Sequence, residues 1–189
     1  MITENEAVES LRDVERVSRR TNVAGAYSVA SPHLILWGLV WVMGYTGCGL
    51  TAPEQWGWVW LPCIVAGSIA SAVLGRRATR SGTAKAGGSA NPNLRSLLMA
   101  LIIMLFMGSV YLVFKPTSTL PYLVFPALIM ALTYALIGTF GLPRFTWIGA
   151  GVFVTVMLGY LLAPALMPFW LAAAGGGGLI LGGLWMRTI

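Results

Sequence analysis

Six stretches of this chain contain no Asp, Glu, Lys or Arg: Tyr27–Leu50, Gln55–Gly75, Ser96–Phe114, Thr119–Phe140, Phe145–Leu162 and Pro164–Met186. Crossing the hydrocarbon core of a bilayer takes about 20 predominantly apolar residues per helix, and each stretch meets that length. The sequence is 57% hydrophobic and only 10% charged, with a mean hydropathy of +0.78. A water-soluble domain has to cover its surface with polar groups, so this composition excludes one. The stretches are continuously apolar and lack two-residue alternation, which argues against a transmembrane barrel. The expected class is all-α: a polytopic membrane bundle of six transmembrane helices, arranged as three helical hairpins, with a short N-terminal amphipathic helix.

The basic residues assign an orientation. With the N-terminus in the cytoplasm, Arg12, Arg16, Arg19, Arg20, Arg76, Arg77, Arg80, Lys85, Arg95, Arg144 and Arg187 all fall on the inner side, and Lys115 alone falls outside. Short basic loops stay cytoplasmic during insertion, so both termini are expected inside. Trp56, Trp58 and Trp60, with Tyr122, collect at the expected outer ends, as interfacial aromatic belts do. The net charge of +6 then serves topology and attraction to anionic headgroups. Nucleic acid is not an expected partner, because the basic loop at 76–95 has glycines and hydroxyls but no aromatic residues on which bases could stack. No cleavable signal peptide is expected, since the first residues are acidic then basic with no apolar core.

Residues 1–22 form the expected cytoplasmic amphipathic helix, and 23–189 the six-helix domain with its basic loop. Thr3, Glu4, Asn5 and Glu6 have the spacing of a capping box. Val8, Leu11, Val14 and Val17 draw a narrow apolar stripe, and acids early with arginines late suit the helix dipole. Such a helix either lies on the inner membrane surface with Arg12 and Arg16 toward headgroups, or docks a cytosolic protein or a second copy of the chain.

Small residues carry the packing expectations. Ala174, Gly178 and Gly182 lie four apart on the last helix, a spacing that lets helices approach closely. The expected partner is the first or second helix of the same chain, where Ala66 with Ala70 and Gly67 with Ser71 offer matching small faces; the alternative is an oligomer seam. Gly175 to Gly178 in succession weaken the helix and invite a kink. A weak repeat relates Gly44, Tyr45, Pro53 and Gly67 to Gly159, Tyr160, Pro168 and Gly182 at one offset. Cys48 and Cys63 either pack as small apolar residues or pair in an oxidising compartment.

Candidate chemistry is sparse. His33 is the one histidine, so a multi-histidine metal or haem site within one chain is excluded. It follows Pro32, which either occupies the first turn of a helix capped by Ser31 or interrupts a helix that starts earlier. His33 is either an imidazole bonded to a nearby carbonyl or hydroxyl, or a proton-sensing or ligand-contacting group. No acid pair, catalytic triad, nucleophile elbow, phosphate loop or Cys-x-x-Cys motif is present. No enzymatic activity, cofactor or metal is therefore expected.

Pro32, His33, Leu34, Trp37, Gly38, Trp41 and Gly44, then Trp56 to Trp60, Gly75 to Arg77, Phe169, Trp170, Gly175 to Gly178, Met186 and Arg187 give the chain a resemblance. It resembles a loosely defined group of small bacterial six-span membrane proteins with a short charged N-terminal helix. That resemblance implies the bacterial inner membrane and carries over no site residue. Two functions are open at this point. One is a noncatalytic module that binds or tethers a partner through its cytoplasmic face. The other is a small permease or channel for a neutral or lipophilic solute, lined by Tyr45, Tyr111, Thr133, Tyr134, Thr155 and Tyr160.

Overall fold

The computed structural model describes residues 4–80 and 92–188; Thr3 of the capping box and Lys85 of the basic loop lie outside them. The described residues are helical and contain no strand. The elements are α1 (Glu4–Leu50), α2 (Trp56–Arg80), α3 (Pro92–Phe114), α4 (Leu120–Thr139), α5 (Pro143–Leu162), α6 (Met167–Trp170) and α7 (Gly177–Met186). A π-helical stretch, Leu171–Gly176, joins α6 to α7, and these make up the sixth span. Among the described residues six helices are long and apolar enough to cross a membrane.

The expected division after residue 22 coincides with no break in the backbone. One helix runs from Glu4 to Leu50, about 70 Å at 1.5 Å per residue. Pro32 is inside it, so Ser31 is not the cap of a helix starting there. Proline lacks the N–H that would bond the carbonyl four residues back, and that single lost bond does not end the helix. The change from polar to apolar composition is a change of surroundings. Each residue from Glu9 to Asn22 is exposed, and cover begins at Val23.

Below that point α1 buries one seam. Tyr27, Ser31, Leu34, Gly38, Trp41, Tyr45 and Cys48 are all buried and alternate steps of four and three, the repeat by which helices interlock side by side. Phe145, Gly149, Val152, Val156 and Gly159 do the same on α5, and Val124, Ala127, Ala131, Tyr134 and Gly138 on α4. The tightest packing joins α4 to α5 and α1 to the sixth span, with α2 against the outside of α1. Helix α3 is held more lightly, through Tyr111 stacked on Tyr122 (centroids 4.7 Å) and Tyr111 and Phe106 against Phe125. No residue of its Leu97–Phe114 stretch is buried.

The small-residue expectation needs correcting in detail. The seam with α1 is built by Gly176 and Gly183: a Cβ on Gly176 would stand 2.9 Å from the Gly38 carbonyl, and one on Gly183 3.0 Å from the Ser31 carbonyl. Gly182 faces α5, with Ile148 at 3.0 Å, while Gly178 faces open space and Ala174 is half-buried. These three residues do share a side of the sixth apolar helix, but it faces α5: Ala174 and Gly178 line a cleft beside Ile148, and Gly182 is the one of the two glycines that meets that side chain. Gly67 does pack, but against Val40 and Trp37 of α1 and not against the last helix. The kink expected at Gly175 to Gly178 appears as the π-helical stretch, which starts at Leu171.

The repeat is clearest at the turns. Short 3-10 turns open on proline at Pro53–Gln55 and at Pro164–Leu166, so Pro164, not Pro168, is the structural counterpart of Pro53. In both halves a glycine admits a tryptophan ring: Gly44 receives Trp60, and Gly159 receives Trp170. Tyr45 is buried, whereas Tyr160 is exposed.

Candidate functional site

Polar groups converge at the end of the bundle where α5 begins and α7 stops. A helix ending at Met186 leaves the carbonyls of Gly183, Leu184, Trp185 and Met186 without intrahelical partners. Three of these are met. Ser31 Oγ, buried on α1, donates to the Gly183 carbonyl at 2.7 Å. The Arg187 amide donates to Leu184 at 3.0 Å. The Trp185 carbonyl accepts from Arg144 Nη1 and from Thr188 Oγ1. The α7 C-terminus is thus capped by side chains from two other spans, with arginine charge at its negative dipole end.

The same residues close the start of α5. The Arg144 amide, one of that helix's orphan donors, gives its hydrogen bond to the Tyr27 hydroxyl at 3.0 Å. The Arg144 guanidinium lies 4.8 Å from the Trp185 ring centroid and 5.7 Å from that of Tyr27, within cation–π range. Arg187 Nε donates to Ser31 Oγ at 3.0 Å. Ser31 therefore both accepts and donates. Among the described residues the partners of Arg144 are carbonyl, hydroxyl and aromatic groups, with no carboxylate.

Replacing Ser31 with alanine strips the Gly183 carbonyl and the Arg187 guanidinium of one partner each. The expected cost is about 1–2 kcal/mol, read as a lower Tm in mild detergent. An unchanged Tm would mean that Ser31 does not join α1 to α7.

The sequence candidates separate rather than converge. His33 Nδ1–H donates to the Val29 carbonyl of its own helix at 3.1 Å. Tyr45 donates to the Leu123 carbonyl at 3.2 Å and meets Trp41 and Trp60 edge-on. Tyr134 is buried against Phe145, and Thr133 bonds back to Ile129 of its own helix. Trp170 Nε1 donates to the Thr155 carbonyl, and Tyr160 is exposed. The Tyr111 hydroxyl is buried with no partner among the described residues. Tyr45 bonds its hydroxyl across to another helix, whereas the Thr133 hydroxyl stays within its own and Thr155 offers its backbone carbonyl. Cys48 and Cys63 are both free thiols, and among the described residues no group of three His, Cys, Asp or Glu side chains could hold a metal.

No family model matches the sequence, and neither do curated proteins or solved structures. What this end of the molecule does therefore has to be argued from its geometry.

A second feature lies just beyond the cap. The exposed part of α1, Glu9 to Asn22, stands clear of the bundle, with Leu11, Val14 and Val17 each more than 60% exposed. Arg12 and Arg16 are exposed on it, and Arg16 pairs with Asp13 at 3.2 Å. At its root a groove of about 990 Å³ opens between Val14, Glu15, Ser18, Arg19 and Val23 on one wall and the Phe140–Leu142 turn on the other. Arg76 and Arg77, at the end of α2, are exposed. The sequence located the apolar stripe but not the groove, because its second wall comes from a turn more than a hundred residues away.

Proposed function

We propose that this chain is an integral protein of the bacterial inner membrane, with six spans and both termini in the cytoplasm. In this reading it is a noncatalytic module that binds a cytosolic protein through the exposed part of α1, around Leu11, Val14 and Val17. The observation that carries the reading is the unbroken course of α1: the helix that buries Tyr27 to Cys48 in the bundle continues for another 19 residues, Glu4 to Asn22, about 28 Å. A helix lying along the membrane surface would have to turn where it leaves the bundle, and this one does not.

Charge supports both the orientation and the upright posture. Trp60 meets Tyr45 and Trp37 meets Ser71, so Arg76, Arg77 and Arg80 at the end of α2 lie toward the same end as Arg144 and Arg187. Collected basic charge of this kind marks the cytoplasmic side. Along α1 the far tip carries Glu4, Glu6 and Glu9, and Arg16, Arg19 and Arg20 stand nearer the bundle. An anionic leaflet attracts the near end and repels the tip. The exposed aliphatic side chains and the groove at the root give a partner an apolar surface edged by Glu15 and Arg19.

The test is site-specific photo-crosslinking in cells from Leu11 and Val14, with Leu112 of α3 as the lipid-facing control. A single partner band of constant mass from the first two positions, absent from the control and lost when Val17 is replaced by Asp with the crosslinker still in place, is the expected result. Adducts of the chain with itself alone would sink the partner reading and turn attention to uptake of neutral solutes in proteoliposomes.

A further inference from the structure

We infer that the cleft between α5 and α7, next to Arg144, is a binding site for an anionic phospholipid. One acyl chain would lie along the cleft, with the phosphate on the guanidinium. This rests on the membrane orientation proposed above.

Three observations meet there. The first is the cleft itself, a groove of about 240 Å³ with Gly151, Ala174 and Gly178 among its lining residues and Trp147 and Trp185 at its edges. A Cβ on Gly151 or Gly178 would touch nothing. These small residues are therefore not explained by helix packing inside the chain, unlike Gly149, Gly176 and Gly183. They leave a trough where the surface of a bundle is usually filled by side chains.

The second is the length. From Trp185, beside Arg144, to Ala174, the far groove residue on the same helix, is eleven residues, about 16 Å along the helix. Half of a hydrocarbon core of ~30 Å is about 15 Å, so the trough runs the depth of one leaflet. An acyl chain anchored at the interface has that reach.

The third is charge at the correct end. Arg144 precedes Trp147 and Ile148 by three and four residues, which puts it on the same face of α5, and its guanidinium lies over the ring of Trp185, a groove edge. Both side-chain hydrogen bonds of Arg144 leave from Nη1, so Nη2 and Nε present the planar fork that suits a phosphate. The ring contacts and the α7 carbonyl hold that fork in place before any lipid arrives. Thr188 Oγ1 stands beside it, and the neighbouring Arg187 adds a second cation at the same helix end.

The experiment is native mass spectrometry of the purified full chain, titrated with phosphatidylglycerol and, separately, phosphatidylcholine of identical acyl chains. Wild type should retain phosphatidylglycerol about tenfold more strongly, a gap of about 1.4 kcal/mol: both lipids offer a phosphate, but the trimethylammonium of phosphatidylcholine cancels the net negative charge and is repelled by Arg144 and Arg187. Gly178→Leu fills the trough where no neighbour is displaced, so it should keep the wild-type Tm and lose both lipids. Arg144→Gln should lose the headgroup preference; because Arg144 also caps α7, Arg144→Lys is the companion, keeping charge without the fork and retaining part of the preference.

Equal retention of phosphatidylglycerol by wild type and Gly178→Leu would overturn the proposal. So would a wild-type dimer that Gly178→Leu dissolves, because the trough would then seat a second copy of the chain. Release of the protein from membranes by alkaline carbonate would instead remove the membrane reading beneath it.

Discussion

Gly149→Ala is expected to lower stability by about 2–3 kcal/mol, although alanine is the better helix former by roughly 1 kcal/mol. The new methyl would sit 2.6 Å from the Ala131 carbonyl and 3.0 Å from the Ala135 Cα. Those are backbone atoms of a packed helix, so relief requires α4 and α5 to move apart as units. One turn away along the same contact, Gly138 faces Thr146 just as closely. Gly151, two residues on, faces open space, and Gly151→Ala should hold or slightly raise the Tm through propensity alone. Thermal unfolding of the pair in one detergent, followed by circular dichroism, checks this. Equal melting points would mean that α4 and α5 do not meet at backbone distance.

The second large effect belongs to the glycine run that meets α1. Gly176→Ala is expected to be severe, costing about 3 kcal/mol, because its Cβ would press on the Gly38 carbonyl and, at 3.0 Å, on the Val42 amide. Gly38 is the reciprocal half of the contact, with the Gly176 carbonyl at 2.8 Å. Gly175→Ala meets only the Trp41 ring at 3.2 Å and should be mild, while Gly177→Ala meets nothing and should stabilise. Gly175, Gly176 and Gly177 would then rank as mild, severe and stabilising according to their neighbours. Size-exclusion recovery of folded protein is the readout. A smooth trend along the run would mean that local helix propensity, not the α1 seam, sets the stability here.

Much of the fold is legible in the sequence because its apolar stretches have the length that a bilayer asks of a helix. The helices end at Leu50, Phe114, Leu162 and Met186, where the apolar stretches stop. Features that depend on partners distant along the chain are not legible. Ser31 beside Pro32 reads as a helix cap, whereas its hydroxyl serves a carbonyl 152 residues away. Ala174, Gly178 and Gly182 share a side, as their spacing says, but the spacing does not say that this side faces α5 or that two of the three stand over a cleft. A usable signal was present in α1: Ser31, Gly38 and Tyr45 recur every seven residues alongside Tyr27, Leu34, Trp41 and Cys48. Searching for apolar residues alone passes over two of these seven positions. The continuity of α1 is hidden for a related reason, since an abrupt change in polarity looks like a boundary while the backbone hydrogen bonds simply continue.

The single rod from Glu4 to Leu50 has a mechanical consequence. Pivoting it by 5° at the level of Tyr27 would carry its tip sideways by roughly 3 Å, given a lever arm of about 34 Å. The buried arm of that lever has little slack, because Gly38 rests on the backbone of the sixth span and Ser31 is bonded into the end of α7. Force applied at the tip therefore reaches the centre of the bundle as torque on one seam, and a disturbance of that seam is magnified at the tip.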